Sequence, residues 1–84
     1  MTLCVYALTG GGARVSTMGL AGERLRVYAQ GSVAAVAGQL ARMPDASPEV
    51  LRRYDGAMRR LADTLPALLP VRFRTCFPDP QELA

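Results

Sequence analysis

Between Ser47 and Pro66 the chain carries one long run of helical periodicity, and that run decides what the rest can be. Ser47-Pro48-Glu49 is a helix start. It has a hydroxyl N-cap, a proline where no N–H is needed, and an acid in the positive end of the dipole. Val50 fills the position where a full capping box has its acid. Val50, Leu51, Tyr54, Ala57, Met58, Leu61, Ala62 and Leu65 recur at three- and four-residue spacing, with Arg52, Arg53, Asp55, Arg59, Arg60 and Asp63 on the other side. Pro66 disfavours helical geometry before it, so the helix is predicted over 48–65. Such a stripe is a core face rather than a cofactor box, and it has to be buried against something.

The remaining apolar segments are short and read as strands. Residues 3–8 are apolar at both parities, with Leu3, Val5 and Ala7 on one face and Cys4, Tyr6 and Leu8 on the other. That pattern suits a central strand covered on both sides. Residues 25–30 alternate, and after the turn at Gln30-Gly31-Ser32 small apolar residues resume, so 25–30 and 32–37 form a hairpin. Residues 39–46 read as a connection with a turn at Pro44-Asp45. The string LPALLPVRFRTCF leaves the helix, crosses two prolines and enters a last strand over 70–77. There Val71, Phe73, Thr75 and Phe77 alternate with Arg72, Arg74 and Cys76, and Phe73 and Phe77 are expected to enter the core. Asp79-Pro80-Gln81-Glu82 has the form of a further helix start. The fold class is therefore α+β: a small antiparallel sheet of about four strands with one main helix on one face, in a single domain.

Several functions are excluded by residue type. With no histidine, the usual acid-base group at neutral pH is missing, and the seven carboxylates are scattered without an obvious pair. Gly10-Gly11-Gly12 follows a strand, but Val15 stands where a dinucleotide fingerprint needs its third glycine, and no GKS or GKT occurs. The glycines are a loop. Cys4 and Cys76 lie far apart, each in an apolar run; they cannot make a zinc site and read as isolated buried thiols, a disulfide staying open if their strands are neighbours. All ten basic residues are arginine and the net charge is +3, too mild and too mixed for a dedicated nucleic-acid protein. The first residues lack a basic leader, and no apolar run reaches the ~20 residues of a membrane span. A cytoplasmic protein is expected, neither enzyme nor cofactor carrier.

Val5-Tyr6-Ala7, the small-residue run SVAAVAG at 32–38, Tyr54-Asp55, and LPVRFRTCF at 69–77 occur in this order across nearly the whole chain. Together they resemble the gas vesicle protein GvpL/GvpF family, in its N-terminal part. The resemblance implies a ferredoxin-like arrangement. It also implies an accessory role in gas vesicle assembly, with the vesicle shell protein or other assembly proteins as partners, vesicle association, and no cofactor. Two departures stand out: Arg74 replaces the family's glycine after the RF pair, and the family's helical, coiled-coil-rich second half has no counterpart.

The outer sheet face is then expected to be an interaction surface. Tyr6 and Tyr28 are its candidate anchors and Arg26, Arg72 and Arg74 its polar contacts, in line with the enrichment of Tyr and Arg at interfaces. An orphan interaction domain that self-associates as a homodimer is the alternative. A weak RNA-binding module using Arg24, Arg26, Tyr28, Arg72 and Arg74 on the same face is another.

Overall fold

A computed structural model describes residues 1–78. The elements follow in the order β1 (Thr2–Gly10), β2 (Arg26–Gln30), β3 (Val33–Leu40), α1 (Pro48–Thr64), β4 (Leu69–Pro70) and β5 (Cys76–Pro78). One antiparallel sheet runs β2-β3-β1-β4, and β5 also pairs with β1. The class is α+β, as the patterning requires. β1 is central, and β3 separates it from β2, which runs parallel to it.

The helix forms where its signals lie. The Ser47 hydroxyl accepts from the Val50 N–H at 3.3 Å, and the Asp45 carboxylate accepts from the Ser47 N–H at 3.1 Å. Hydrogen bonding from the Ser47 N–H, and next from the Ser47 side chain, holds the Asp45 carboxyl below the usual carboxylate range. Glu49 and Arg53 pair one turn apart, as do Asp55 and Arg59. The buried part of the stripe is narrower than its sequence pattern: Ala57, Leu61 and Leu65 are buried, Val50, Tyr54 and Met58 half-buried, while Leu51 and Ala62 lie exposed on its rims. Ala57, Leu61 and Leu65 form the core with Tyr6, Ala7, Leu25 and Val36, and Tyr54 and Met58 pack against it.

β1 departs from strict alternation. Its register against β3 shifts between Val5 and Ala7, and a bulge there puts both Tyr6 and Ala7 into the helix-side core. Beyond the bulge the faces exchange. Cys4, Tyr6, Ala7 and Thr9 lie on the helix side, and Leu3, Val5 and Leu8 on the other, so the expected grouping of Ala7 with Leu3 and Val5, and of Leu8 with Tyr6, does not hold. β3 also runs further than expected, through Gln39 and Leu40, because β1 continues opposite them at Leu3 and Thr2.

The predicted last strand over 70–77 is interrupted. Its two ends pair with β1 as β4 and β5, while residues 72–75 form a turn closed by the Thr75 N–H on the Arg72 carbonyl at 3.2 Å. The cause is the helix. Phe73 leaves the sheet to meet the Tyr54 ring edge-on at 4.8 Å between centroids, and the Tyr54 hydroxyl donates to the Val71 carbonyl at 3.1 Å. Arg74 turns the chain back with φ +70°, a left-handed conformation that glycine adopts freely and other residues rarely. Phe77 does not enter the core: it is 55% exposed, opposite Leu3.

Cys4 and Cys76 are cross-strand neighbours and are joined by a disulfide, with Cα atoms 4.0 Å apart across a sequence separation of 72. The reading as isolated thiols is therefore replaced. Two cysteines that occur once each in distant apolar strands give no sequence sign that those strands pair. The motif beginning at Asp79 lies outside the described residues.

Candidate protein-interaction face

The helix covers one side of the sheet. The other side is open, and the cross-strand register gives its composition row by row, since residues opposite one another share a face. Leu69, Leu8, Ala35 and Tyr28 form one row from β4 to β2. Val5, Ala37 and Arg26 form the next, Phe77, Leu3 and Gln39 another, and Gly10, Val33 and Gln30 the last. Leu69 is 64% exposed, Val33 52% and Tyr28 43%. Leu3, Val5 and Leu8 are half-buried. Among the described residues, no strand of the sheet contains an aspartate or glutamate. A continuous apolar surface of this kind marks an interaction site more often than a solvated face.

The five residues singled out from sequence do not form one patch. Arg26 and Tyr28 lie side by side on the open face at the β2 border. Arg72 and Arg74 are exposed in the turn at the opposite border, with β3 and β1 between the two pairs. That separation also divides the basic surface on which the RNA reading relied. Tyr6 is not on the face: only 1% exposed, it stacks on Tyr54 at 5.4 Å between ring centroids.

Tyr6 instead anchors the long connection between β1 and β2. Its hydroxyl donates to the Glu23 carboxylate at 2.7 Å and accepts from the Leu20 N–H at 3.0 Å, while Glu23 also accepts from the Ala21 N–H at 3.0 Å. Gly38 makes the room, since a Cβ there would stand 2.8 Å from Glu23 Cγ. Burial, and next the Glu23 hydrogen bond, push the Tyr6 hydroxyl well above the ordinary tyrosine range. It is a fixed neutral donor, which suits a structural tie and not proton transfer near neutral pH. At the far end of the strand, Thr9 donates to the Ala67 carbonyl at 2.7 Å and fixes the segment leading into β4.

Leu3, Leu8, Val33, Leu69 and Phe77 are the face residues that sequence reasoning did not select. The apolar character of β1 at both parities was the available signal. The bulge hid which residues belonged together. Among the described residues, no helix is long and apolar enough to cross a membrane.

No curated protein and no solved structure matches this chain. The family model described as gas vesicle synthesis protein GvpL/GvpF matches residues 2–84, which include both the Tyr6 strand and the interrupted edge with its RF pair. With the match spanning the helix, the sheet and its open face, the chain belongs to the GvpL/GvpF family of gas vesicle synthesis proteins.

Proposed function

We propose that this chain is a non-enzymatic accessory protein of gas vesicle assembly. It acts in the cytoplasm as a single ferredoxin-like domain and docks the vesicle shell protein or another assembly protein on its open sheet face. The observation that carries the reading is the uncovered row Leu69-Leu8-Ala35-Tyr28, with Val33 and Phe77 exposed beside it. Family membership supports the cellular role. The strand order β2-β3-β1-β4 supports the ferredoxin-like description, with a loop and the Tyr6–Glu23 tie in place of a first helix.

Arg26 and Tyr28 form the polar and aromatic border of the docking face, and Arg72 and Arg74 contact the partner from the opposite edge. A reducing cytoplasm holds most paired cysteines as thiols, so docking relies on the β1–β5 pairing and not on the disulfide. Co-purification of gas vesicle proteins with the wild-type chain and with a Leu69→Asp, Phe77→Asp double variant tests the proposal. Loss of the co-purifying proteins from the variant is expected; equal recovery would refute it.

A further inference from the structure

The open face is bordered differently on its two long sides. Leu25 is buried in the core, so its neighbours Arg24 and Arg26 project away from the helix. Both are exposed, and with Met1, Glu23, Tyr28, Gly38 and Gln39 they line a shallow concavity of about 210 Å³. The side formed by β4 and β5 presents Leu69 and Phe77 instead. Among the described residues, Asp45, Glu49, Asp55 and Asp63 lie in or just before α1, on the opposite layer. Glu23, the one carboxylate among the described residues that lines this concavity, is engaged by the Tyr6 hydroxyl and the Ala21 N–H. The face is thus apolar, basic along β2, and without a carboxylate of its own strands.

Resting on the docking reading above, we infer that the occupant of this face is an amphipathic helix of a partner protein whose apolar stripe is flanked on one side by carboxylates. The sheet from β2 to β4 is three strand spacings, roughly 14 Å, across. One helix of about 10 Å diameter covers that width, and helix on sheet is a standard layer packing. The carboxylates run over Arg24 and Arg26, and the apolar stripe lies on Leu8, Leu69 and Phe77. Placing charge on one border sets the direction in which the helix lies as well as its affinity. A second copy of this chain is the poorer occupant, because the described strands of its face bring more arginine and no carboxylate.

The test is a fluorescence anisotropy titration of the whole chain with two labelled amphipathic peptides of about 18 residues, roughly 27 Å as a helix. They share one leucine stripe and differ only in a flank of glutamates or of lysines. The glutamate peptide is expected to bind about tenfold or more tightly than the lysine peptide. The preference should shrink in 1 M salt and reverse in an Arg24→Glu, Arg26→Glu double variant. Equal affinities, no binding of either peptide, or a preference unchanged in that variant would overturn the inference. So would a stable dimer in sedimentation that Leu69→Asp with Phe77→Asp dissolves, since the occupant is then a second copy. If those substitutions abolish capture of gas vesicle proteins while the peptides bind alike, the docking face stands and only the acid-flanked helix falls. If capture is unaffected as well, the docking reading itself fails.

Discussion

Tyr6 and Ala7 are adjacent in sequence, yet both enter the same helix-side core, because the β1 register slips against β3 between Val5 and Ala7. That slip determines which apolar residues of the central strand are buried under α1 and which are left on the open face. It places Tyr6 against Tyr54 and Glu23, and it turns Leu8 outward to meet Leu69.

The Tyr6 tie predicts a pH dependence. A hydroxyl whose folded pKa is raised gives stability that is complete below the unfolded value near 10 and is lost as pH rises toward the folded value. Denaturant midpoints should therefore fall above about pH 10, by up to ~1.4 kcal/mol per pH unit for this group. At pH 8, Tyr6→Phe should cost about 1–3 kcal/mol, through the hydrogen bonds lost around Glu23. Its deficit should narrow above pH 10. A deficit constant to pH 11 would show that the hydroxyl does not titrate as described.

The Cys4–Cys76 disulfide closes nearly the whole chain into a loop. A cross-link of this span restricts the unfolded ensemble, so reduction, or Cys4→Ala with Cys76→Ala, should lower stability by about 2–4 kcal/mol. Thermal melts with and without a dithiol reductant read this out. Identical melting temperatures for the oxidised and reduced protein would contradict the pairing.

Arg74 occupies a left-handed conformation in an exposed turn. A non-glycine residue there costs roughly 1–2 kcal/mol, partly offset by the greater unfolded-state freedom of glycine. Arg74→Gly should thus stabilise the protein by about 0.5–1 kcal/mol in chemical denaturation. Destabilisation would mean that the Arg74 side chain makes a larger contribution than its exposure indicates.

Leu61 and Leu69 separate stability from docking. Leu61 is fully buried beneath the helix, so Leu61→Ala should cost about 2–5 kcal/mol. Leu69 is mostly exposed, and Leu69→Ala should change stability by less than about 0.5 kcal/mol. Urea midpoints for the two variants check both values.

Much of this fold was legible from local chemistry. Ser47-Pro48-Glu49 and Pro66 mark a helix because capping and proline act within a few residues, and the Gln30-Gly31-Ser32 turn marks a hairpin for the same reason. The less legible features are set by tertiary contacts. A bulge leaves no mark in a strand that is apolar at both parities. The alternation of Val71, Phe73 and Thr75 fits a strand until Phe73 is drawn to Tyr54. Tyr6, an attractive surface anchor by residue type, is buried because Glu23 and Tyr54 are both within its reach. Arg26 and Arg72 appeared to share a surface because alternation gives a residue's face, whereas only the strand order gives its distance across the sheet.

The central claim is that the open sheet face is the docking surface of a gas vesicle assembly protein. The most direct measurement is co-expression of the tagged chain with the gas vesicle proteins, followed by quantification of what co-purifies with wild type and with Leu69→Asp, Phe77→Asp. Both positions are more than half exposed, so the variant should keep its melting behaviour to within about 1 kcal/mol. The account predicts that the folded variant retains less than about a tenth of the shell or assembly protein held by wild type, a loss of about 1.4 kcal/mol or more. Equal recovery by the two folded proteins would contradict it.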